Sequence, residues 1–329
     1  MTTTRARRTL DVPALVEQAS GGEPAHRARA VARLISLVED ASPALREVME
    51  LLTPLAGNAR VVGLTGSPGV GKSTSTNALV ASYRRLGLSV GVLAVDPSSP
   101  FSGGALLGDR VRMQDHATDD GVFIRSMASR GHLGGLSWAT PQAVRVLSAA
   151  GCDVVLVETV GVGQAEVEVA SLADTTLVLL APGMGDGIQA AKAGILEVAD
   201  LFVVNKADRD GADTVVRDLR YMLSLGDRRT DDGWRVPILK TVASRGEGAG
   251  EVVETIEKHG AWLAATGRLD TRRISRAADE VEAIALTTLR ARLGDVHGHA
   301  ALEGLAARVV AGQLDPYTAA DELVAAVTG

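Results

Sequence analysis

The feature that most constrains this chain is a glycine-rich stretch between an apolar run, Val61–Leu64, and a helical pattern over residues 74–86. It fits the pattern glycine, any four residues, glycine, lysine, and then serine or threonine. Glycines let the backbone curl until several N–H groups face one phosphate chain, and the start of the next helix adds partial positive charge. The stretch therefore predicts a phosphate-binding loop. Its predicted nucleotide contacts are Gly66, Ser67, Pro68, Gly69, Val70, Gly71, Lys72, Ser73 and Thr74.

Two side chains at the end of this loop carry the predicted chemistry. The Lys72 ammonium would neutralise charge on the β- and γ-phosphates, so Lys72 is a predicted catalytic residue. The Ser73 hydroxyl would be a ligand of Mg²⁺. A glycine-rich turn that joins a strand to a helix without any ligand is the alternative. The agreement of motif and context favours the phosphate-binding loop.

Apolar runs and helical patterns alternate between Ala59 and Thr266. This alternation predicts an α/β fold in which helices cover both faces of a mostly parallel sheet and ligands bind at the carboxyl ends of the strands. A helical N-terminal extension (residues 1–57) and a helical C-terminal arm (267–329) are predicted to flank this P-loop domain (58–266). The predicted strands are Val61–Leu64, Val90–Val95, Val122–Ile124, Val154–Val157, Thr176–Leu180, Leu201–Val204 and Val236–Leu239.

The composition narrows the classes of partner. Aromatic residues make up only 3% of the chain and the net charge is −6, which argues against a nucleic-acid-binding surface. The single cysteine, Cys152, permits no intramolecular disulfide, as is typical of the cytoplasm. No stretch approaches the ~18 apolar residues that a membrane-spanning helix needs. We therefore expect a cytoplasmic protein that binds neither nucleic acid nor membrane.

Acidic side chains follow the apolar runs. Asp96 comes directly after the second run and Glu158 directly after the fourth. Carboxylates at the carboxyl edge of a parallel sheet can reach Mg²⁺ beside bound phosphates. Asp109, farther along the chain after Asp96, is another predicted metal ligand, although helix capping is the alternative for both aspartates. Glu158 is also a predicted catalytic residue, because it is expected near the metal directly or through water.

Two glycine-rich loops, over residues 97–104 and 182–194, are predicted to respond to the γ-phosphate. The Gly161 N–H is predicted to contact that phosphate. Gln164 is a nearby amide that could orient the attacking water, so it is a predicted catalytic residue. An ordinary surface glutamine is the alternative for Gln164. A plain connector between strand and helix is the alternative for residues 182–194, which include Lys192.

A second strong motif, Asn205-Lys206-Ala207-Asp208, follows the sixth apolar run. The Asp208 carboxylate can accept two hydrogen bonds from guanine N1–H and N2–H₂, a donor pair that adenine lacks. Asn205 is predicted to tie this segment to the phosphate-binding loop, and the Lys206 stem to cover the base. The Ser244 backbone N–H, after the last run, is predicted to meet guanine O6.

The C-terminal arm shows only helical patterns. Its long amphipathic helix must bury its apolar face elsewhere, because a short helical tail cannot bury much surface alone. A second subunit is favoured over the P-loop domain as the partner, so we predict a homodimer. The apolar positions are Ile274, Val281, Ile284, Ala285 and Leu289.

Taken together, these motifs resemble the MeaB/ArgK-type GTPases, which are G proteins associated with methylmalonyl-CoA mutase. The resemblance is carried by GLTGSPGVGKST, LAVDPSSPFSGGALLGDRVRM, IRSMASRGHLGG, VETVGVGQAEVEVA, NKAD and the terminal DPYTAA. It implies a homodimeric, Mg²⁺-dependent enzyme that hydrolyses GTP to GDP and phosphate. It also implies a chaperone that gates loading of adenosylcobalamin into the mutase and protects or reactivates that enzyme. By the same resemblance, Lys192 lies in a switch that couples to the mutase, and the C-terminal helices form the dimer.

Two other functions stay open. A kinase or transport ATPase, a label once attached to this family, is disfavoured by the guanine-selecting segment Asn205–Asp208. A metal-insertion GTPase needs a store of histidine and cysteine ligands, whereas this chain has one cysteine and six histidines. His297 and His299 offer too few ligands for a metal site and lie in a helical break, so we interpret them as part of a loop.

Overall fold

The structure is a computed structural model. It describes residues 10–97, 116, 118–129, 139–159, 165–183, 195–225, 233–293 and 300–328. The chain divides into two compact units, Met1–Arg273 and Ile274–Gly329. The predicted boundaries at residues 57/58 and 266/267 stay predictions. In the described part of the chain, no helix combines the length and apolar character needed to cross a bilayer.

A seven-stranded sheet with the order β3-β2-β4-β1-β5-β6-β7 forms the centre of the first unit. Every pair of neighbouring strands is parallel, which confirms the predicted α/β class. The strands are β1 (Arg60–Thr65), β2 (Val90–Pro97), β3 (Val122–Ser129), β4 (Val154–Thr159), β5 (Thr175–Leu180), β6 (Leu201–Val204) and β7 (Ile238–Lys240).

Helices connect and cover these strands. The first unit contains α1 (Val12–Gly21), α2 (Pro24–Glu39), α3 (Leu45–Leu52), α4 (Lys72–Arg85), α5 (Thr140–Ala149), α6 (Ala165–Leu172), α7 (Ile195–Val198), α8 (Ala212–Leu225) and α9 (Ala249–Ala265). Helix α10 (Arg268–Leu293) runs from the first unit into the second, which also contains α11 (Ala300–Val310) and α12 (Pro316–Thr328).

The two faces of the sheet pack against different helices. Val61 of β1 belongs to a core cluster with residues of α1, α2, α3 and α5. Val62, the next residue, belongs to a second cluster with Tyr83 of α4 and Ile256 of α9. Successive side chains of a strand point to opposite faces, so one apolar run supplies both cores. The N-terminal helices therefore form part of the core of the first unit.

Only β6 has its predicted bounds. Strands β1, β2, β4 and β5 are longer than predicted by one or two residues, and β3, predicted to end at Ile124, continues to Ser129. The last strand is shifted along the chain. The sequence pattern places the last strand at Val236–Leu239, whereas β7 spans Ile238–Lys240. Pro237 has no N–H to donate to a ladder, although its carbonyl accepts the Phe202 N–H at 2.9 Å. The strand therefore begins after the proline.

In the second unit, α11 and α12 pack on each other, with Leu305 and Ala319 buried and an Arg308–Glu322 ion pair of 2.7 Å. On α10, by contrast with α11 and α12, the apolar residues of the predicted face are exposed: Ile274 is 70%, Val281 66% and Leu289 54% exposed. Large aliphatic side chains at this spacing make one helix face that the described residues leave uncovered.

At the amino edge of the sheet, two buried aspartates join strands to α10. The Asp174 carboxylate accepts the Val61 N–H at 3.0 Å, and the Asp200 carboxylate accepts the Thr176 N–H at 2.9 Å. Arg272 donates two hydrogen bonds to Asp200, at 2.8 and 2.9 Å. Such two-pronged bonds to a carboxylate are strong and directional. The start of α10 is therefore fixed to the sheet on the edge opposite the ends of the strands that carry the predicted site residues.

His259 of α9 lies fully buried in the same cluster. Its Nδ1 is 2.8 Å from the Thr175 hydroxyl, and its ring lies 4.7 Å from Trp234 and 5.6 Å from Trp262, centroid to centroid. Burial lowers the pKa of His259 to about 4, against the opposing pull of the Asp200 and Asp174 carboxylates and with a further lowering by Arg272. His259 is therefore neutral in the folded protein near neutral pH.

This neutral histidine predicts acid sensitivity. The unfolded chain takes up a proton at His259 below its ordinary pKa of about 6.5, whereas the folded chain does so only near pH 4. The free energy of unfolding should therefore fall by about 2 kcal/mol between pH 7 and pH 5 because of this residue. Urea unfolding at both pH values measures the loss. In His259→Phe this fall of about 2 kcal/mol should be absent, whereas the control His26→Gln, at an exposed site, should show it. An equal fall in both variants would show that His259 does not cause the acid sensitivity.

Candidate nucleotide-binding site

The predicted phosphate-binding loop connects β1 to α4 at the carboxyl edge of the sheet. Gly66 and Gly71 have φ values of +142° and +94°, which side-chain-bearing residues rarely adopt. A Cβ at Gly66 would lie 2.3 Å from the Leu179 carbonyl oxygen, and one at Gly71 would lie 2.5 Å from Asn205 Nδ2. Glycine is therefore required at both positions, because the loop curls tightly against β5 and Asn205.

Lys72 is the first residue of α4, and its side chain folds back into the loop. Its Nζ donates to the carbonyl oxygens of Gly66 at 2.6 Å and Ser67 at 3.2 Å, and the residue is only 8% exposed. Lys206 donates to another loop carbonyl, that of Gly69, at 2.6 Å. Two ammonium groups thus lie against the loop that the sequence predicts to hold phosphates.

The carboxyl end of β4 places Glu158 against α4. Its Oε1 accepts a hydrogen bond from the Ser73 hydroxyl at 2.7 Å, and its Oε2 lies 2.9 Å from the Thr76 hydroxyl. Glu158 is only 5% exposed. The structure therefore brings together the predicted site residues Ser73 and Glu158. It adds Thr76, which the sequence analysis missed although a residue three positions after Ser73 lies on the same helix face.

These oxygen donors suit a hard cation. Hydroxyl and carboxylate oxygens are the protein ligands that Mg²⁺ prefers, so Ser73 and Glu158 fit the predicted metal. The backbone of Asp96 continues β2 at the same sheet edge, two residues past the pairing of Ala94 with Glu158. In the described part of the chain, no three histidine, cysteine, aspartate or glutamate side chains cluster as a metal site. The Asp96 side chain and the predicted site residues Asp109, Gly161, Gln164 and Lys192 lie outside the described residues.

Asn205 joins the predicted base site to the phosphate-binding loop. It lies at the end of β6 and is 2% exposed. Its Nδ2 donates to the Val70 carbonyl oxygen at 2.9 Å, while its Oδ1 accepts from the Ala243 N–H at 3.0 Å and the Thr241 hydroxyl at 3.2 Å. One amide thus connects three loops at the sheet edge, as the sequence predicts for the link to the phosphate-binding loop.

The predicted guanine contacts Asp208 and Ser244 lie on the two segments that this amide links. The Asp208 side chain is 36% exposed, and its Oδ2 lies 3.3 Å from Nη2 of Arg245. Ser244, next to Ala243, is exposed in the short 3₁₀ turn after β7. The sequence marks the stretch Thr241–Ser244, but only the fold shows that Thr241 and Ala243 bond to Asn205. Arg245, which pairs with Asp208, was missed because no local pattern links the two segments.

Comparison with known proteins identifies the family. The family model described as Methylmalonyl Co-A mutase-associated GTPase MeaB matches residues 31–296. The chain belongs to the MeaB family of GTPases. Guanine-nucleotide binding and GTP hydrolysis are thereby shown as properties of the family, in agreement with the prediction from the motifs.

Similar proteins span most of this MeaB-family chain. A protein of Pyrococcus horikoshii that is named as a GTPase is 48% identical over 302 residues, which cover 92% of this chain and 95% of that protein. GTPase ArgK of Escherichia coli is 42% identical over 250 residues, covering 74% and 75% respectively. The crystal structure of an LAO/AO transport system kinase matches with a TM-score of 0.71 at 29% identity, covering 97% of this chain and 98% of that one.

Proposed function

We propose that this MeaB-family protein is a Mg²⁺-dependent GTPase that serves as a chaperone of adenosylcobalamin-dependent methylmalonyl-CoA mutase. In this role its GTP cycle gates cofactor loading and protects or reactivates the mutase. The observation that carries the nucleotide part is Asn205, whose amide joins the phosphate-binding loop to the loop before Ser244. The family name carries the mutase part, because it describes a mutase-associated GTPase.

Each predicted residue takes one role in this proposal. The ammonium of Lys72 stabilises charge on the terminal phosphates, and Ser73 and Glu158 hold the cation site together. When bound, Mg²⁺ would neutralise negative charge on the phosphates of GTP. Asp208 selects guanine, with Lys206 beside the base. The remaining proposed roles are those of Asp96 and Asp109 at the metal, Gly161 and Gln164 at the γ-phosphate and attacking water, and Lys192 in a switch.

The guanine assignment separates this proposal from a kinase or transport ATPase. Guanine offers the N1–H and N2–H₂ donors that a carboxylate such as Asp208 accepts, whereas adenine offers no such pair. ATP would forgo both hydrogen bonds to this carboxylate, and a hydrogen bond to a charged group contributes about 1.5–3 kcal/mol. ATP should therefore bind much more weakly than GTP. A metal-insertion GTPase, the other alternative, requires tight binding of a transition metal, and nanomolar affinity for nickel or zinc would favour it.

We also propose a homodimer formed through the exposed apolar face of α10. Ile274, Val281 and Leu289 are each more than half exposed, and burying such side chains stabilises an interface by about 25 cal/mol per Å² of apolar surface. Light scattering of the purified chain should give twice the mass of 34.1 kDa. A monomer mass would contradict the dimer without affecting the nucleotide site.

The proposed function is tested by reconstitution with an adenosylcobalamin-dependent methylmalonyl-CoA mutase. We expect the purified chain to hydrolyse GTP but not ATP, to bind the mutase, and to change the strength of that binding with a non-hydrolysable GTP analogue. We also expect GTP to be required for the chain to restore an inactivated mutase. Equal hydrolysis of ATP would overturn the guanine assignment, and failure to bind the mutase in any nucleotide state would overturn the chaperone role.

A further inference from the structure

Thr76 is a fully buried residue of α4 that no sequence motif marks as part of the site. Its hydroxyl lies 2.9 Å from Oε2 of Glu158 and 3.1 Å from the Lys72 carbonyl oxygen. A hydroxyl has one proton, and an ionised carboxylate is the stronger acceptor. The proton of Thr76 is therefore best donated to Glu158.

The two hydroxyls of α4 hold both oxygens of the same carboxylate. Ser73 donates to Oε1 of Glu158 while Thr76 contacts Oε2. With both oxygens bound, the carboxylate plane cannot rotate without losing a hydrogen bond. Glu158 is only 5% exposed, so water cannot easily replace a hydrogen bond that is lost. Because the Ser73 proton is donated to Oε1, the position of the carboxylate sets the direction of the Ser73 hydroxyl.

We propose that Thr76 is a positioning residue for the cation site, which acts through Glu158 on the orientation of the Ser73 hydroxyl. This inference rests on the proposed Mg²⁺-dependent GTP binding. Without the Thr76 hydroxyl, the carboxylate can turn and the Ser73 hydroxyl loses its fixed direction. Residues that orient metal ligands in this way typically change metal affinity by about 10–100-fold when they are replaced. Thr76 thus tunes how strongly Mg²⁺ tightens GTP binding, and it does not touch the nucleotide.

The test measures GTP affinity by calorimetry with Mg²⁺ and with a chelator, in the full-length chain. Thr76→Val keeps the shape and removes the hydroxyl, while Thr76→Ser restores it. We expect Thr76→Val to reduce the Mg²⁺-dependent gain in affinity about tenfold and to leave metal-free GTP affinity within about twofold of the wild type, with Thr76→Ser close to the wild type. If Thr76→Val does not fold, Thr76→Cys, whose thiol is a weak donor, takes its place.

Two further measurements separate positioning from a merely structural role. Ser82→Ala removes another buried hydroxyl of α4, one that bonds to the Ala78 carbonyl and Arg85 and lies outside the site, so it should keep the full Mg²⁺-dependent gain. In a Glu158→Gln background, Thr76→Val should have no further effect, because the carboxylate through which it acts is gone. An unchanged gain in Thr76→Val, or the same loss in Ser82→Ala, would overturn the inference. Failure of the wild type to bind GTP would instead overturn the proposed function.

Discussion

Replacing Lys72 by alanine should lower the kcat for GTP hydrolysis by about 10²–10³-fold and weaken GTP binding as well. The ammonium is almost fully buried and lies at the centre of the curled loop, where it donates to the Gly66 and Ser67 carbonyl oxygens. A charge in such a water-poor place acts on developing phosphate charge more strongly than one in solvent. Release of inorganic phosphate measures kcat, and calorimetry measures affinity.

Lys258→Ala is the matched control for this experiment. Lys258 forms an exposed ion pair with Glu254 on α9, and such pairs contribute at most about 1 kcal/mol to stability. Its removal should leave hydrolysis unchanged. Thermal melting without nucleotide should show that both variants are folded. If Lys72→Ala turned over GTP at the wild-type rate, the lysine would have no role at the phosphates and the proposed site would be wrong.

Asp208→Asn should change the base that the protein prefers. The amide keeps one acceptor oxygen for guanine N1–H but places an NH₂ donor opposite guanine N2–H₂, so guanine loses one of its two hydrogen bonds. Xanthine carries a carbonyl oxygen in place of the guanine amino group and can accept from the new amide. Sites built to hydrogen-bond a substrate discriminate strongly when that bond is lost. We expect GTP affinity to fall by about 10–10²-fold, because one hydrogen bond to a charged group contributes about 1.5–3 kcal/mol, and XTP affinity to rise.

Asp210→Asn is the control, because it makes the same chemical change on an exposed residue two positions away. A general loss of folding does not explain the expected shift, since the ion pair of Asp208 with Arg245 is partly exposed and such pairs contribute little to stability. The gain for XTP distinguishes altered recognition from damage. If Asp208→Asn bound GTP normally, the carboxylate would not contact guanine.

The parts of the fold that followed from the sequence are those encoded by local patterns. Strand β4 is buried at every residue. A continuous apolar run of this kind is typical of a parallel strand that is covered on both faces. The phosphate-binding loop was equally local, because its glycines and the flanking strand and helix all lie within one stretch. The position of Asn205 followed from its place directly after a buried strand.

Contacts between distant parts of the chain did not follow. The bonds of Arg272 to Asp200 join residues 72 positions apart, and no periodicity of either segment marks them as partners. Thr76 was missed for a similar reason. Its hydroxyl becomes informative only when β4 is placed beside α4 and brings Glu158 within 2.9 Å. The sequence therefore does not predict how distant helices and strands are placed against each other, because that placement depends on the packing of the whole sheet.

The single amide of Asn205 has a thermodynamic consequence. Its two ends hold the phosphate-binding loop and the turn after β7 in one arrangement through hydrogen bonds within the protein, and the residue is only 2% exposed. The chain loses the entropy of ordering these two loops when it folds. Ligand binding therefore involves a smaller loss of loop entropy. Less of the binding energy from the base and the phosphates is then needed to order the loops. The rest can shift the population of conformations that a partner protein distinguishes.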